Sequence, residues 1–211
     1  MLEIEYKGGN TVVLTTKKAT LVADPKLSVA GGKDIVVKEA IEVATEERFA
    51  LNSEGARLRI EGPGEYGVAD FDIVGVAAQR HLDTEQDPKL STMYRIEAAG
   101  FRVGLIGNIY EKVSEEQLES LGVIDILIIP VGGGGYTLDA VGAATVTRQI
   151  DPKVVIPVHY ADKGLKYEVP QADLDEFVKQ LGVPVEDTPK YKLKQQAALP
   201  ASLTVVNVTR S

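Results

Sequence analysis

With 211 residues the chain is long enough to bury a sizeable core without disulfides or a structural metal, and its 44% hydrophobic and 26% charged content is ordinary for a globular protein. Thirty-one acidic residues against 23 basic ones give a net charge of −8, which opposes non-specific attachment to nucleic acid or an anionic membrane. Cysteine is absent, and that removes disulfides, thiolate zinc sites and a cysteine nucleophile together.

The opening residues, MLEIEYKGGN, carry charge from the third position and lack the apolar segment of a signal peptide. No apolar run reaches the length of a membrane span. The expectation is a soluble protein of the cytoplasm with neither a membrane nor a nucleic-acid partner.

In chain order, LEIEYK alternates apolar and polar residues, TVVLTT and ATLVAD are β-branched, and GGN between the first two has hairpin chemistry. DIVVKEA, IEVATEE, RLRIEG, GPGEYGV, FDIVGVAA, TMYRIEAAG and FRVGLIG read as further strands, spaced eight to twelve residues apart. Helices come later. Ser114 and Gln117 form a capping-box pattern ahead of EEQLESL, with Gly122 as the stop. IDILIIPV is apolar almost throughout, as a strand covered on both faces requires. Asp139 can cap a helix over AVGAATVTRQI, and KVVIPVHY is a second fully buried strand. A last helix over residues 171–181 stops at Gly182, and SLTVVNVT reads as a closing strand. Antiparallel strands followed by alternating buried strands and helices predict an α/β (α+β) αββα sandwich forming a single domain over residues 1–211.

Several of these strands end on residues that carry chemistry: His81 in QRHLD, Asn108 in LIGNIYEK and His159 in PVHYAD. Strand ends feeding loops at one edge of a sheet are where sites are built. The run Gly132–Gly135 precedes a helix but lacks the lysine and hydroxyl of a P-loop, so it reads as a tight turn in preference to a phosphate cradle. Each histidine alone reads more readily as hydrogen-bonded structure than as a ligand.

The ordered segments IEYKGGN…ATLVADPKL, IEGPGEYGV…FDIVGVAAQRH, LIGNI, DILIIPVGGGG and DPKVVIPVHY resemble the metallo-β-lactamase fold, in its short bacterial Zn-dependent hydrolase branch related to ascorbate-6-phosphate lactonases. The likeness runs along nearly the whole chain and implies the four-layer αββα sandwich. It also implies an HxHxDH loop that, with later His, Asp and His residues, holds two metals. Set against that loop, TEERFAL places Glu46 and Arg48 at the first two histidines, and Ala50 and Leu51 at the aspartate and last histidine. Gly9 stands where relatives have GH, and Asn108 where they have the bridging aspartate. His81 and His159 alone match.

Too few ligands then remain for either metal, since a catalytic zinc takes three protein ligands. The implied protein is a degenerate member without metal-dependent hydrolysis, with neither catalytic residues nor a cofactor. Its vestigial cleft, formed by Gly9, Glu46, Arg48, His81, Asn108 and His159, would bind a small molecule or a protein partner. Arg48 would either be solvated or fill the former metal cavity, paired with Glu46 or Asp83. The rival reading is a hydrolase of lactones or phosphoesters with a reduced site. It would hold a weakly bound divalent metal such as zinc on His81 and His159, or use one of them as general base with Arg48 binding the substrate's anionic group.

Overall fold

Alternation in the first residues decides the first strand. In the computed structural model, which describes residues 1–51, 53–82 and 90–211, β1 (Leu2–Gly8) buries Leu2, Ile4 and Tyr6 and turns Glu3, Glu5 and Lys7 outward. A hairpin at Gly9–Asn10 returns the chain as β2 (Thr11–Thr15), followed by β3 (Thr20–Ala23), β4 (Ile41–Ala44) and β5 (Leu58–Glu61). These strands and β13 (Tyr191–Leu193) form a six-stranded sheet in the order β13-β1-β2-β3-β4-β5.

The second sheet has eight strands, in the order β12-β14-β11-β10-β9-β8-β7-β6. It is antiparallel through β6 (Gly64–Val68), β7 (Phe71–Ala78), β8 (Ser91–Ala98) and β9 (Phe101–Leu105). It becomes parallel through β10 (Ile126–Pro130), β11 (Val154–Val158) and β14 (Thr204–Val208), with β12 (Val185–Thr188) parallel to β14 at the edge. Every residue of β10 and β11 is buried because these strands are covered on both faces.

One core lies between the sheets, where Ile4, Leu14 and Val43 meet Ile73, Ile96, Ile128 and Ile156. A second lies outside the eight-stranded sheet, where Leu127, Ile129 and Val155 meet α1 (Glu115–Leu121), α2 (Ala140–Ile150) and α3 (Leu174–Leu181) through Leu121, Ala143, Val146, Phe177 and Leu181. The capping box at α1 is complete: the Gln117 amide N–H donates to Ser114 Oγ at 3.2 Å, and Ser114 N–H donates to Gln117 Oε1 at 3.0 Å. Among the described residues no helix is long and apolar enough to cross a membrane.

The mixed α/β class and the two-sheet sandwich follow the sequence; some local elements do not. DIVVKEA forms no strand. Its alternation instead sends Ile35 and Val37 against Val13, Val22 and Ala40, so an irregular segment supplies apolar cover for the six-stranded sheet. The last helix begins at Leu174, three residues later than its sequence pattern. The short polar strands β12 and β13 exist through pairing with β14 and β1, a tertiary cause that local sequence does not carry.

Tyr94, fully buried on β8, joins the sheets beside the end that carries the strand-end residues. Its hydroxyl donates to Ala44 O at 2.9 Å and accepts from Gly62 N–H at 3.0 Å. Tyr94→Phe leaves the buried Ala44 carbonyl and the half-buried Gly62 N–H without this partner, and a loss of about 1–3 kcal/mol is expected in urea unfolding. An unchanged midpoint would show that the two groups find other partners.

Candidate functional site

At one end of the sandwich the chain leaves β3, β4, β9 and β11 and turns at the β1–β2 hairpin, and buried polar groups tie these ends together. Asp24, just after β3, has φ of 47°, in the left-handed region, and its N–H donates to Val43 O at 2.8 Å. Its carboxyl accepts Thr45 N–H on one oxygen (2.7 Å) and Thr45 Oγ1–H on the other (2.8 Å). The Thr11 hydroxyl donates to Asp24 O at 2.6 Å. These bonds fix where β4 ends and where the following 3-10 turn, Glu47–Phe49, presents Arg48.

His159 follows β11 with φ of 51°, and its N–H meets Gly9 O at 2.9 Å and the Tyr6 hydroxyl at 3.2 Å. Its ring is 4.9 Å from the Tyr167 ring, stacked at 23°. His159 Nδ1 lies 2.7 Å from Asn10 Oδ1, and Asn10 Nδ2 donates to Asn108 Oδ1 at 3.1 Å. With the amides so placed, Nδ1 carries the proton and Nε2 keeps its lone pair. The line imidazole, amide, amide thus links the end of β11, the hairpin and the end of β9, and the His159 backbone N–H ties it to Tyr6 of β1.

Arg48 comes into the same space. It lines, with Gly9, Asn10, Asp24, His159 and Tyr167, a cavity of about 30 Å³, room for one or two waters as it stands. The guanidinium carbon is 4.6 Å from the Phe49 ring centre and 5.0 Å from that of Tyr136. Arg48 Nε is 3.7 Å from a carboxylate oxygen of the buried Glu46, an ion-pair distance, and makes no hydrogen bond.

Of the residues singled out by sequence, Gly9, Arg48 and His159 line this cavity; Glu46 adjoins it through Arg48, and Asn108 through Asn10. Asn108 is buried with its Nδ2 unpartnered. His81 does not line the cavity: its N–H donates to Asn108 O at 2.8 Å and its Nδ1 lies 3.3 Å from Ile109 O. Asp83 lies outside the described residues. The glycine run serves close approach, because a Cβ at Gly132 would collide with His159 O and Gln171 Oε1. The N-terminus of α2 is capped by its own Asp139 carboxylate, which accepts Gly142 N–H at 2.8 Å. Sequence reading passed over Asn10, Asp24, Tyr136, Tyr167 and Gln171. Asn10 is the neighbour of Gly9 in the turn, and Asp24 opens the DP turn; those were the available signals.

The donors here do not fit a catalytic divalent metal. Around His159 stand two amides, a phenol and a guanidinium, and among the described residues no three His, Cys, Asp or Glu side chains converge.

The sequence profile of the beta-lactamase superfamily domain matches residues 3–159. A UPF0173 protein of Pyrococcus furiosus is 32% identical over 80 residues, which are 38% of this chain and 34% of that protein. The match therefore spans about a third of the length of that curated relative. Among solved structures, a candidate Zn-dependent hydrolase of the metallo-beta-lactamase superfamily from Thermotoga maritima superposes with a TM-score of 0.76 at 25% identity, covering 99% of this chain and 100% of that one. A metallo hydrolase of Ignicoccus hospitalis shares the fold at a TM-score of 0.62 and 17% identity, over 99% of this chain and 94% of that one.

Two buried groups give the site opposed pH dependences. Burial pushes the Asp24 carboxyl up to about 7, against the lowering effect of the Thr45 hydrogen bonds. Burial, aided by the Arg48 charge, drives His159 down to about 3. Asp24 therefore holds a proton that the unfolded chain has released above its ordinary 3.8, and the stability this adds is lost as pH rises to about 7. His159 stays neutral where the unfolded chain protonates below 6.5, so its contribution is lost as pH falls toward 3. The two oppose each other between about pH 4 and 6.5. Asp24→Asn removes the first alone, so its urea midpoint should climb more steeply with pH over that window than the parent's. Parallel profiles would place the titration of Asp24 near its ordinary value.

Proposed function

As the chain belongs to the beta-lactamase superfamily domain family, we propose that it keeps the family's cleft as a binding site for a small ligand and performs no metal-dependent hydrolysis there. The observation that carries this reading is Arg48: its guanidinium shares a cavity of about 30 Å³ with the imidazole of His159. A monocation in that space repels a dication, and the hydrogen-bonded neighbours of the His159 ring, the amides of Asn10 and Asn108, are neutral. The same side chain attracts an anion. Absence of cysteine suits work in a reducing cytoplasm.

The structural relatives named as hydrolases favour the rival, and His159 Nε2 has the lone pair a ligand or general base needs. Metal analysis of protein purified without chelator, alongside turnover on a panel of lactones and phosphodiesters, separates the two. The proposal expects well under one equivalent of zinc, manganese or iron and no turnover. Stoichiometric metal that disappears in His159→Gln, with hydrolysis lost in step, would overturn it.

A further inference from the structure

Around the cavity most polar groups are already committed. Both Asp24 carboxyl oxygens are taken by Thr45, the Asn10 amide joins His159 to Asn108, and Gln171 Nε2 donates to Val169 O at 3.1 Å. Two kinds of capacity remain. Arg48 makes no hydrogen bond among the described residues and lies at ion-pair distance, 3.7 Å, from Glu46, so its guanidinium N–H groups can still donate. His159 Nε2 is a lone pair with no protein donor, on a ring 6% exposed, and Gln171 Oε1 on the same cavity wall is a buried acceptor with no partner. The rest of the lining sets the charged Lys26 and Glu168 beside apolar and aromatic walls from Leu27, Ala30, Phe49 and Tyr136.

A ligand that satisfies this set carries an acceptor pair for a guanidinium and, a short distance away, a hydroxyl to donate to the imidazole. Building on the metal-independent binding proposed above, we infer that the cleft takes a compact hydroxycarboxylate, its carboxylate on the Arg48 fork and its hydroxyl donating to His159 Nε2. The fork geometry matches a planar carboxylate in bidentate fashion. A second negative charge, as on phosphate, meets Glu168, which lines the same cavity, and Glu46 behind Arg48. The volume restricts the ligand to a few heavy atoms, and seating it shifts the Tyr167 ring from its stack on His159.

The test is calorimetric titration of the full chain with 2-hydroxypropanoate, propanoate, 2-hydroxypropanamide and inorganic phosphate, with the metal content of the same preparation measured. Saturable binding of 2-hydroxypropanoate is expected. Propanoate, which lacks the hydroxyl, should bind about tenfold more weakly, and the uncharged amide should not bind measurably. Arg48→Gln should abolish binding in a protein that still unfolds cooperatively, and Arg48→Lys should restore part of it. Equal affinity for propanoate, tighter binding of phosphate, or no saturable binding at millimolar concentrations each overturns the ligand assignment. Metal-free protein that binds none of these probes refutes this assignment alone, whereas stoichiometric metal refutes the reading beneath it.

Discussion

The hydrogen-bonded line from His159 through Asn10 to Asn108 is the constraint around which this end of the molecule is organised. It joins residues from the end of β11, the β1–β2 hairpin and the end of β9, and so from both sheets. Buried polar groups of this kind are costly unless each finds a partner, so the line fixes the sheets' mutual position as much as it fixes a ring. It also sets the tautomer: with Nδ1–H donated to an amide oxygen, the imidazole has a lone pair only at Nε2. The left-handed backbone at His159 is held by its N–H to Gly9 O and by the close approach of Gly132, which only a residue without Cβ permits.

A second assembly places a positive charge opposite that ring. Asp24 grips Thr45 through two hydrogen bonds, which ends β4 and starts the short turn that carries Arg48. The guanidinium lies against Phe49 and Tyr136 with the Glu46 carboxylate at 3.7 Å, and its buried Nε makes no hydrogen bond. A buried or half-buried cation left this way interacts strongly with whatever anion reaches it, because the surrounding dielectric is low. That is the physical basis for reading the cleft as an anion site instead of a metal site.

Much of the fold was written in local sequence. IDILIIPV and KVVIPVHY are apolar on both faces because helices and a second sheet cover them, and SEEQ carries its capping box visibly. DIVVKEA shows the limit: period-two alternation marks a segment with one apolar side, and an irregular stretch lying on a sheet satisfies it as well as a strand does. Strands β12 and β13 owe their existence to neighbours far away in the chain. Of the site, His159, Arg48 and Gly9 could be named from an ordered resemblance, and they do line one cavity. Asn10, Tyr167 and Gln171 could not, because an amide or a phenol in a loop carries no periodicity, and only the folded chain sets Tyr167 against a ring eight positions earlier. His81 matched the pattern, yet its ring turns to Ile109 O and not to the cavity.

Having only two histidines makes the central claim open to direct observation. In a protein labelled with ¹⁵N histidine, the ring nitrogens report tautomer, protonation and metal binding at each site separately. The account predicts that His159 remains a neutral Nδ1–H imidazole well below its ordinary midpoint of 6.5, and that its Nε2 resonance stays in place when one equivalent of zinc is added. A zinc-induced shift of that resonance, or protonation of the ring near 6.5, would contradict it.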